Sequence, residues 1–476
     1  MRRNWFCPVA AALCLGTGAQ LASAANNDIQ SELDAIKADY QKRIEAVERK
    51  LNVDGKPQSK SPVSASFSKS YLTFESADGN YKMKIDGRIM IDIGYVDNDD
   101  EDNHLVSDND VRRARLAFKM DFYKDWAAEF DMDLSGNEIE IKDLWLAYNG
   151  ISNTNIKFGN HKPFFSMAES TTSRWYPFVE TSMISDSLAP GRRLAISGSY
   201  WQYPFFVGAT LFGNELEAKD PDIDCDDEEV AGEDVLVDCD YEDPDTNQDY
   251  GETESIGYAV RGAFRPWYTE DGKQVVHLGA GYLRGKPQSS EGGRERVRFR
   301  AYPESRVART RFVDAKINGT EEYQITYLEF ASRVGNLTVQ SEIFEVSASP
   351  LDSADGDDFD GSGYYIQGSY FLSGEGRAYS FNDGEFGGVT PTNPNGDLEA
   401  VIRFSEVDFN DDDAFDGGDG GEAESITLGA NWYVNTNIVF RLNYSLVDLG
   451  ENADADGDFI DEDDLKIVTL RTQVMF

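Results

Sequence analysis

The stretch VRRARLAFKMDFYKDWAAEFDMDLS, Val111 to Ser135, decides the fold through its alternation. Leu116, Phe118, Met120 and Phe122 take every second position, with Arg113, Arg115, Ala117, Lys119 and Asp121 between them. Ala128, Phe130, Met132 and Leu134 then alternate with Glu129, Asp131 and Asp133. Successive side chains of a strand point to opposite faces, so each run is a strand with one apolar and one polar face.

A soluble sandwich also alternates, but its segments are usually shorter and its polar face meets water outside. Three features favour a membrane barrel, which shows lipid an apolar face and its lumen a polar one over about ten residues. Aromatic residues make up 12% of the chain, and many close a segment, as in WLAYNG, GSYW and NWYVN. Short turns alternate with long hydrophilic insertions. The final residues, LKIVTLRTQVMF, alternate up to Phe476. Mean hydropathy is −0.50, and no segment after the leader approaches the roughly 20 apolar residues of a membrane helix. Only helices and closed barrels satisfy their backbone groups in lipid, so a chain that spans without helices spans as a barrel.

The first residues, MRRNWFCPVAAALCLGTGAQLASA, carry two arginines, a short apolar core and the triplet Ala22, Ser23, Ala24, which reads as a signal peptide over residues 1–24. Ile29, Leu33, Ile36, Tyr40, Ile44, Val47 and Leu51 follow at steps of four or three. They form the apolar seam of a coiled-coil-like helix over residues 25–52, expected on the periplasmic side. A single amphipathic helix packed on the body would show the same seam. Residues 53–70, rich in Ser, Pro and Lys, read as a linker, and residues 71–476 as the barrel.

The chain carries 87 acidic and 44 basic residues, unevenly spread. Residues 97–110, 217–254, 352–360, 406–424 and 448–464 hold 48 acids and one base, Lys219. Outside these segments the chain beyond the leader has 41 basic and 39 acidic residues. The acidity therefore belongs to insertions expected to be extracellular loops. Cys225 and Cys239 lie in one of them, and an exported chain meets an oxidising compartment, so a loop disulfide is the natural reading. The segment NADADGDFIDED, Asn452 to Asp463, spaces its acids like a calcium loop but ends on Asp463 rather than Glu; it reads as solvated acid, and no metal site is assigned. His104, His161 and His277 are far apart and no nucleophile motif accompanies them, so no enzyme, cofactor or nucleic-acid partner is indicated.

The blocks VRRARLAFKMDFYKDWAAEFDMDLS, EIKDLWLAYNG, IKFGNHKPFFSMAESTTSRWYPFVE, LAPGRRLAIS and VRFRAYPESRVARTRFVDA, with the terminal phenylalanine, resemble the phosphate-selective porin family of Gram-negative outer membranes. The resemblance implies an all-β transmembrane antiparallel barrel of about 16 strands, assembled as a homotrimer in outer-membrane lipid. Each subunit would carry one narrow pore for phosphate, polyphosphate or other small anions. The acidic loops depart from a shape suited to gathering anions, which leaves a general porin of weak or cation preference, or a surface-structural protein, as rivals.

The functional site of such a protein is a set of charges facing water inside the barrel. In RERVRFR, Arg294, Arg296, Arg298 and Arg300 fall on one face and Val297 and Phe299 on the other, as expected of a strand with its arginines in the lumen. Ten basic residues lie between Arg284 and Lys316. Guanidinium groups bind phosphate oxygens bidentately, so such a row suits oxyanions. A solvated basic loop is the plain alternative. Arg113 and Arg115 form a second inward row. Lys162 and Arg174 flank PFFSMAESTTS, which in the family narrows the barrel, and Arg192 and Arg193 follow it. Each could instead pair with a lumenal carboxylate such as Asp131, Asp133 or Glu169.

Overall fold

The computed structural model describes residues 36–43, 63–68, 71–98, 108–136, 139–213, 216, 222–230, 233–242, 256–287, 296–351, 357–414, 419–453 and 464–476. Residues 36–43 are helical and form part of a unit of their own. In this helix Ile36 and Tyr40 are exposed, and Arg43 pairs with Asp39 one turn earlier at 2.9 Å. The leader and the remaining seam residues, Ile29, Leu33, Ile44, Val47 and Leu51, lie outside the described residues. Val63–Ser68, at the end of the expected linker, is extended as a strand.

Sixteen antiparallel strands close into a barrel. They are β1 Tyr81–Asn98, β2 Asn109–Phe122, β3 Trp126–Asp133, β4 Glu140–Tyr148, β5 Thr154–His161, β6 Arg193–Gln202, β7 Phe205–Phe212 and β8 Gly257–Tyr268, then β9 Gln274–Gly285, β10 Thr320–Val334, β11 Leu337–Pro350, β12 Phe359–Phe371, β13 Asp397–Asn410, β14 Asp419–Tyr433, β15 Ile438–Leu449 and β16 Asp464–Met475. Closure comes from β16 on β1, in register from Leu465 opposite Asn98 to Met475 opposite Arg88, so the sheet has no free edge there. Phe476 continues the pairing: its N–H donates to Gly87 at 3.0 Å and its carbonyl accepts from Gly87 at 2.6 Å.

Alternation sets which face meets lipid. Along β14, Ile426, Leu428 and Trp432 are exposed while Ser425, Thr427 and Asn431 are buried. On β15 Leu442, Tyr444 and Leu446 point out, with Arg441, Asn443 and Ser445 inside. On β16 Val468 and Leu470 point out, with Thr469, Arg471 and Gln473 inside. An apolar outside and a polar inside is the arrangement a lipid solvent demands.

The acidic segments are not confined to connections. Glu406 on β13 pairs in register with Glu424 on β14, Glu424 with Asp448 on β15, and Asp448 with Asp464 on β16. These four carboxylates share the outward face with the apolar band and sit at its edge, at the end of the barrel that carries the long connections. Like charges directly opposite across strands are unfavourable, so this row costs stability.

Three segments fold into the lumen. Residues 162–192, between β5 and β6, carry helices α1 Met167–Ser170 and α2 Met183–Leu188, with Ser166 accepting from the Glu169 N–H at 3.0 Å and Ser182 from that of Ser185 at 3.4 Å. Residues 296–319, between β9 and β10, contain a hairpin of Arg296–Ala301 and Val313–Asn318. Residues 372–396, between β12 and β13, enter from the opposite end, where the connections are short. Leu188, Ile184, Val297, Phe299, Val313, Ala315 and Ile317 join Phe344, Phe359 and Phe409 in one buried cluster. Two smaller clusters sit under residues 372–396. Glycines on the inner wall admit this packing: a Cβ at Gly363 would lie 2.8 Å from Ile184, and one at Gly94 2.5 Å from Val307.

The hairpin corrects one expectation. The described part of RERVRFR does not supply a barrel strand: Arg296–Ala301 pairs only with Val313–Asn318 among the described residues, and Val297 and Phe299 face the internal cluster rather than lipid. Period-two alternation shows that one face is apolar, and a packed lumen buries such a face as well as lipid does.

Candidate functional site

With these segments packed against β10 to β16, open space remains beside β1 to β6, as a cavity of about 1230 Å³. Its described lining carries eleven basic side chains and ten carboxylates. The bases are Arg88, Arg112, Arg113, Arg115, Lys119, Lys142, Lys157, Lys162, Arg174, Arg192 and Arg306.

The register explains how the wall is built. Met90 on β1 opposes Arg113 on β2, but Asp92 opposes Asp110, so β2 holds one extra residue at this point. Such a bulge breaks strict alternation. Consecutive Arg112 and Arg113 therefore both reach inward, to the carboxylate of Glu180 from the infolded loop. Below the bulge Arg88 opposes Arg115, which in turn opposes Asp133 on β3.

Most of these cations have carboxylate partners. Arg115 Nε donates to Asp133 Oδ2 at 2.8 Å, and Arg192 donates to Asp143 Oδ2 at 3.0 and 2.7 Å. Lys119 and Arg174 converge on Asp86 at 2.9 and 2.8 Å. Lys162 Nζ reaches Glu169 Oε1 at 2.9 Å. Burial pushes the Lys162 ammonium below the usual lysine range, and Glu169 offsets only part of that shift. Glu180 takes Arg112 Nε at 2.8 Å, Arg113 Nη2 at 3.1 Å and Arg471 Nη2 at 2.7 Å. Burial alone would raise its carboxyl, but Arg112, Arg113 and Arg471 hold it well below the usual carboxylate range.

Arg88 differs. Its Nη1 donates to Thr172 Oγ1 at 3.0 Å, and no carboxylate lies within ion-pair distance of it among the described residues. Lys157 Nζ stands 4.5 Å over the Trp145 ring.

Of the residues expected at the site, the structure brings Arg113, Arg115, Lys162, Arg174 and Arg192 to this cavity. Arg193 is buried in the wall opposite His161. Arg296, Arg298 and Arg300 lie on the infolded hairpin and are not among the cavity's described lining; Arg298 donates to Asp314. Arg294 lies outside the described residues. Carboxylate pairing is present for Arg115 with Asp131 and Asp133, and for Lys162 with Glu169. The hairpin Asp222–Val230 with Glu233–Glu242 sets Cys225 opposite Cys239 in register. Arg88 is the site residue not expected above, and its signal is present in the sequence: Asp86, Arg88, Met90 and Asp92 alternate with Ile89, Ile91 and Ile93 as plainly as in any other strand.

Residues 83–476 match the family described as phosphate-selective porin O and P. The chain belongs to that family. An uncharacterised protein of Caulobacter vibrioides is 27% identical to this porin over 383 residues, covering 79% of this chain and 70% of the relative. Porin O of Pseudomonas aeruginosa is 25% identical over 420 residues, covering 81% of this chain and 88% of its own. Among solved structures, a loop-deletion mutant of OmpT, an outer membrane protein of Vibrio cholerae, gives a TM-score of 0.51 at 9% identity, over 83% of this chain and 100% of that one. That likeness is one of fold. This porin is an outer-membrane channel and not an enzyme.

Proposed function

We propose that this porin passes small anions by diffusion down their gradient, with phosphate or a related oxyanion as the favoured solute. The observation that carries the reading is Arg88, a guanidinium at the cavity wall, opposite Arg115 and without a carboxylate in ion-pair distance among the described residues. A planar guanidinium gives an oxyanion two parallel hydrogen bonds and keeps its charge at every physiological pH. Arg113 and Arg115 stand on the same wall, and Arg174 and Arg192 on the infolded loop that faces it, with their charges largely matched, so an anion meets attraction along the path without a deep trap. Single-channel chloride conductance in a planar bilayer should fall as phosphate is added, because phosphate occupies the path longer. Conductance indifferent to phosphate would remove the oxyanion from the reading.

A second reading, a general porin of weak or cation preference, is favoured by the ten carboxylates of the lining and by the acidic row at the rim. We place the long-connection end outside the cell, where those acids would gather cations at the mouth. The homotrimer implied by the family resemblance is part of the same proposal; exposure of Ile36 and Tyr40 in the single chain supports it.

A further inference from the structure

Three guanidinium groups converge on one point of the pore wall from strands on both sides of β1. Arg112 and Arg113 come from β2 and Arg471 from β16. Arg112 Nε, Arg113 Nη1 and Arg471 Nη2 lie 2.8, 3.2 and 2.7 Å from Glu180 Oε1, and Arg113 Nη2 lies 3.1 Å from Oε2. Arg113, Arg471 and Glu180 are buried and Arg112 is half-buried, and Arg112, Arg113 and Glu180 face the cavity. Asp92 holds Arg471 from behind through two contacts of 2.6 Å. The backbone on either side of Glu180 is fixed as well, since Arg403 donates to the carbonyls of Glu180 and Thr181 at 3.1 and 3.3 Å.

Donors arranged in this way are those a free oxyanion would use: several N–H groups, held in place by strands, aimed at two oxygens of one negative group. Three arginines against Glu180 and Asp92 leave one formal positive charge. We propose that Glu180 is a tethered ligand occupying a built oxyanion site, and that its carboxylate sets the affinity of the pore by competing with the permeating anion for Arg112, Arg113 and Arg471. The competition keeps these arginines from trapping oxyanions, which turns a binding site into a segment of a path. The inference rests on the anion reading for its physiological sense, but its geometry stands without it.

Glu180→Gln keeps the size of the side chain and removes its charge. In Glu180→Gln the phosphate concentration that half-blocks chloride current should fall about tenfold, the change expected when charged hydrogen bonds become available to a solute. The zero-current potential in a salt gradient should also move toward chloride. Glu180→Asp, which keeps the charge and withdraws the carboxylate by one methylene, should move both readouts the same way by less, and serves if the Gln variant does not yield an SDS-resistant barrel. A folded variant with unchanged half-block and unchanged zero-current potential would overturn the proposal. A wild-type pore selective for cations would instead overturn the anion reading, while a shift between wild type and variant would still support the role of Glu180.

Discussion

Arg298 donates through Nε and Nη2 to Asp314 at 2.7 and 2.6 Å, across a hairpin that lies inside the barrel. The pair is largely buried, at 11% and 6% side-chain exposure, so removing Arg298 takes both of these hydrogen bonds from the Asp314 carboxylate. Arg298→Ala should weaken docking of the hairpin by about 1–3 kcal/mol. The double variant with Asp314→Ala should lose less than the sum of the single changes, as in other buried pairs. Phe299, packed against the rings of Tyr323, Phe359 and Phe409, should cost about 3–5 kcal/mol on truncation to Ala. Urea titration of the heat-modifiable band measures all of these; additive losses, or a silent Phe299→Ala, would contradict the internal placement.

Arg88 and Arg192 line the same cavity but differ in partners. Arg192 is matched by Asp143, while Arg88 donates to a threonine hydroxyl. Arg88→Gln should therefore reduce anion permeability more than Arg192→Gln does. Permeability ratios from bilayer recordings of the two variants decide it, and equal losses would mean that pairing does not govern the charge an anion meets.

Lys162 supplies a pH dependence. Burial places its ammonium below the usual range, so its positive charge is lost as pH rises through a value below the ordinary lysine figure of about 10.4. Anion preference should thus decline on the alkaline side earlier than an exposed lysine would allow. Lys162→Arg stays charged across that range, and recordings of it at rising pH should show the decline reduced, with Lys119, Lys142 and Lys157 supplying what is left. The same decline in the Arg variant would assign the titration elsewhere.

The carboxylate row Glu406, Glu424, Asp448 and Asp464 should make the barrel more stable when diluted. Neutralising Glu424 and Asp448 as Gln and Asn removes directly opposed like charges and should raise stability by about 0.2–1 kcal/mol per relieved pair, most at low ionic strength. Thermal loss of the SDS-resistant form, followed at low and high salt, measures it. A destabilised variant would show that the row has a favourable partner.

The barrel was legible because lipid on one side and water on the other impose alternation over many residues, as in Leu116 to Phe122 and Leu465 to Phe476. What alternation could not reveal was the second kind of apolar environment. Val297 and Phe299 pack against Phe359 and Phe409 inside the lumen, and the pattern for that surface is the same as for lipid. The paired arrangement of the wall was half visible: Asp133 and Glu169 could be named as partners, but Glu180 meets Arg112 and Arg113 only because of a bulge that strand periodicity does not encode. Arg88 was within reach of the same reasoning applied to Asp86–Asp92. The acidic segments read as loops end in strand residues, since a rim just beyond the apolar band tolerates charge that its middle would not.

The zero-current potential of the wild-type pore, measured in a planar bilayer across a potassium chloride gradient at neutral pH, bears on the central claim most directly. Passage along Arg88 and its neighbouring cations predicts a potential of the sign set by chloride, moving further toward the chloride limit when salt is lowered and screening weakens. A potential of the sign set by potassium would contradict the account and give the pore to its carboxylates.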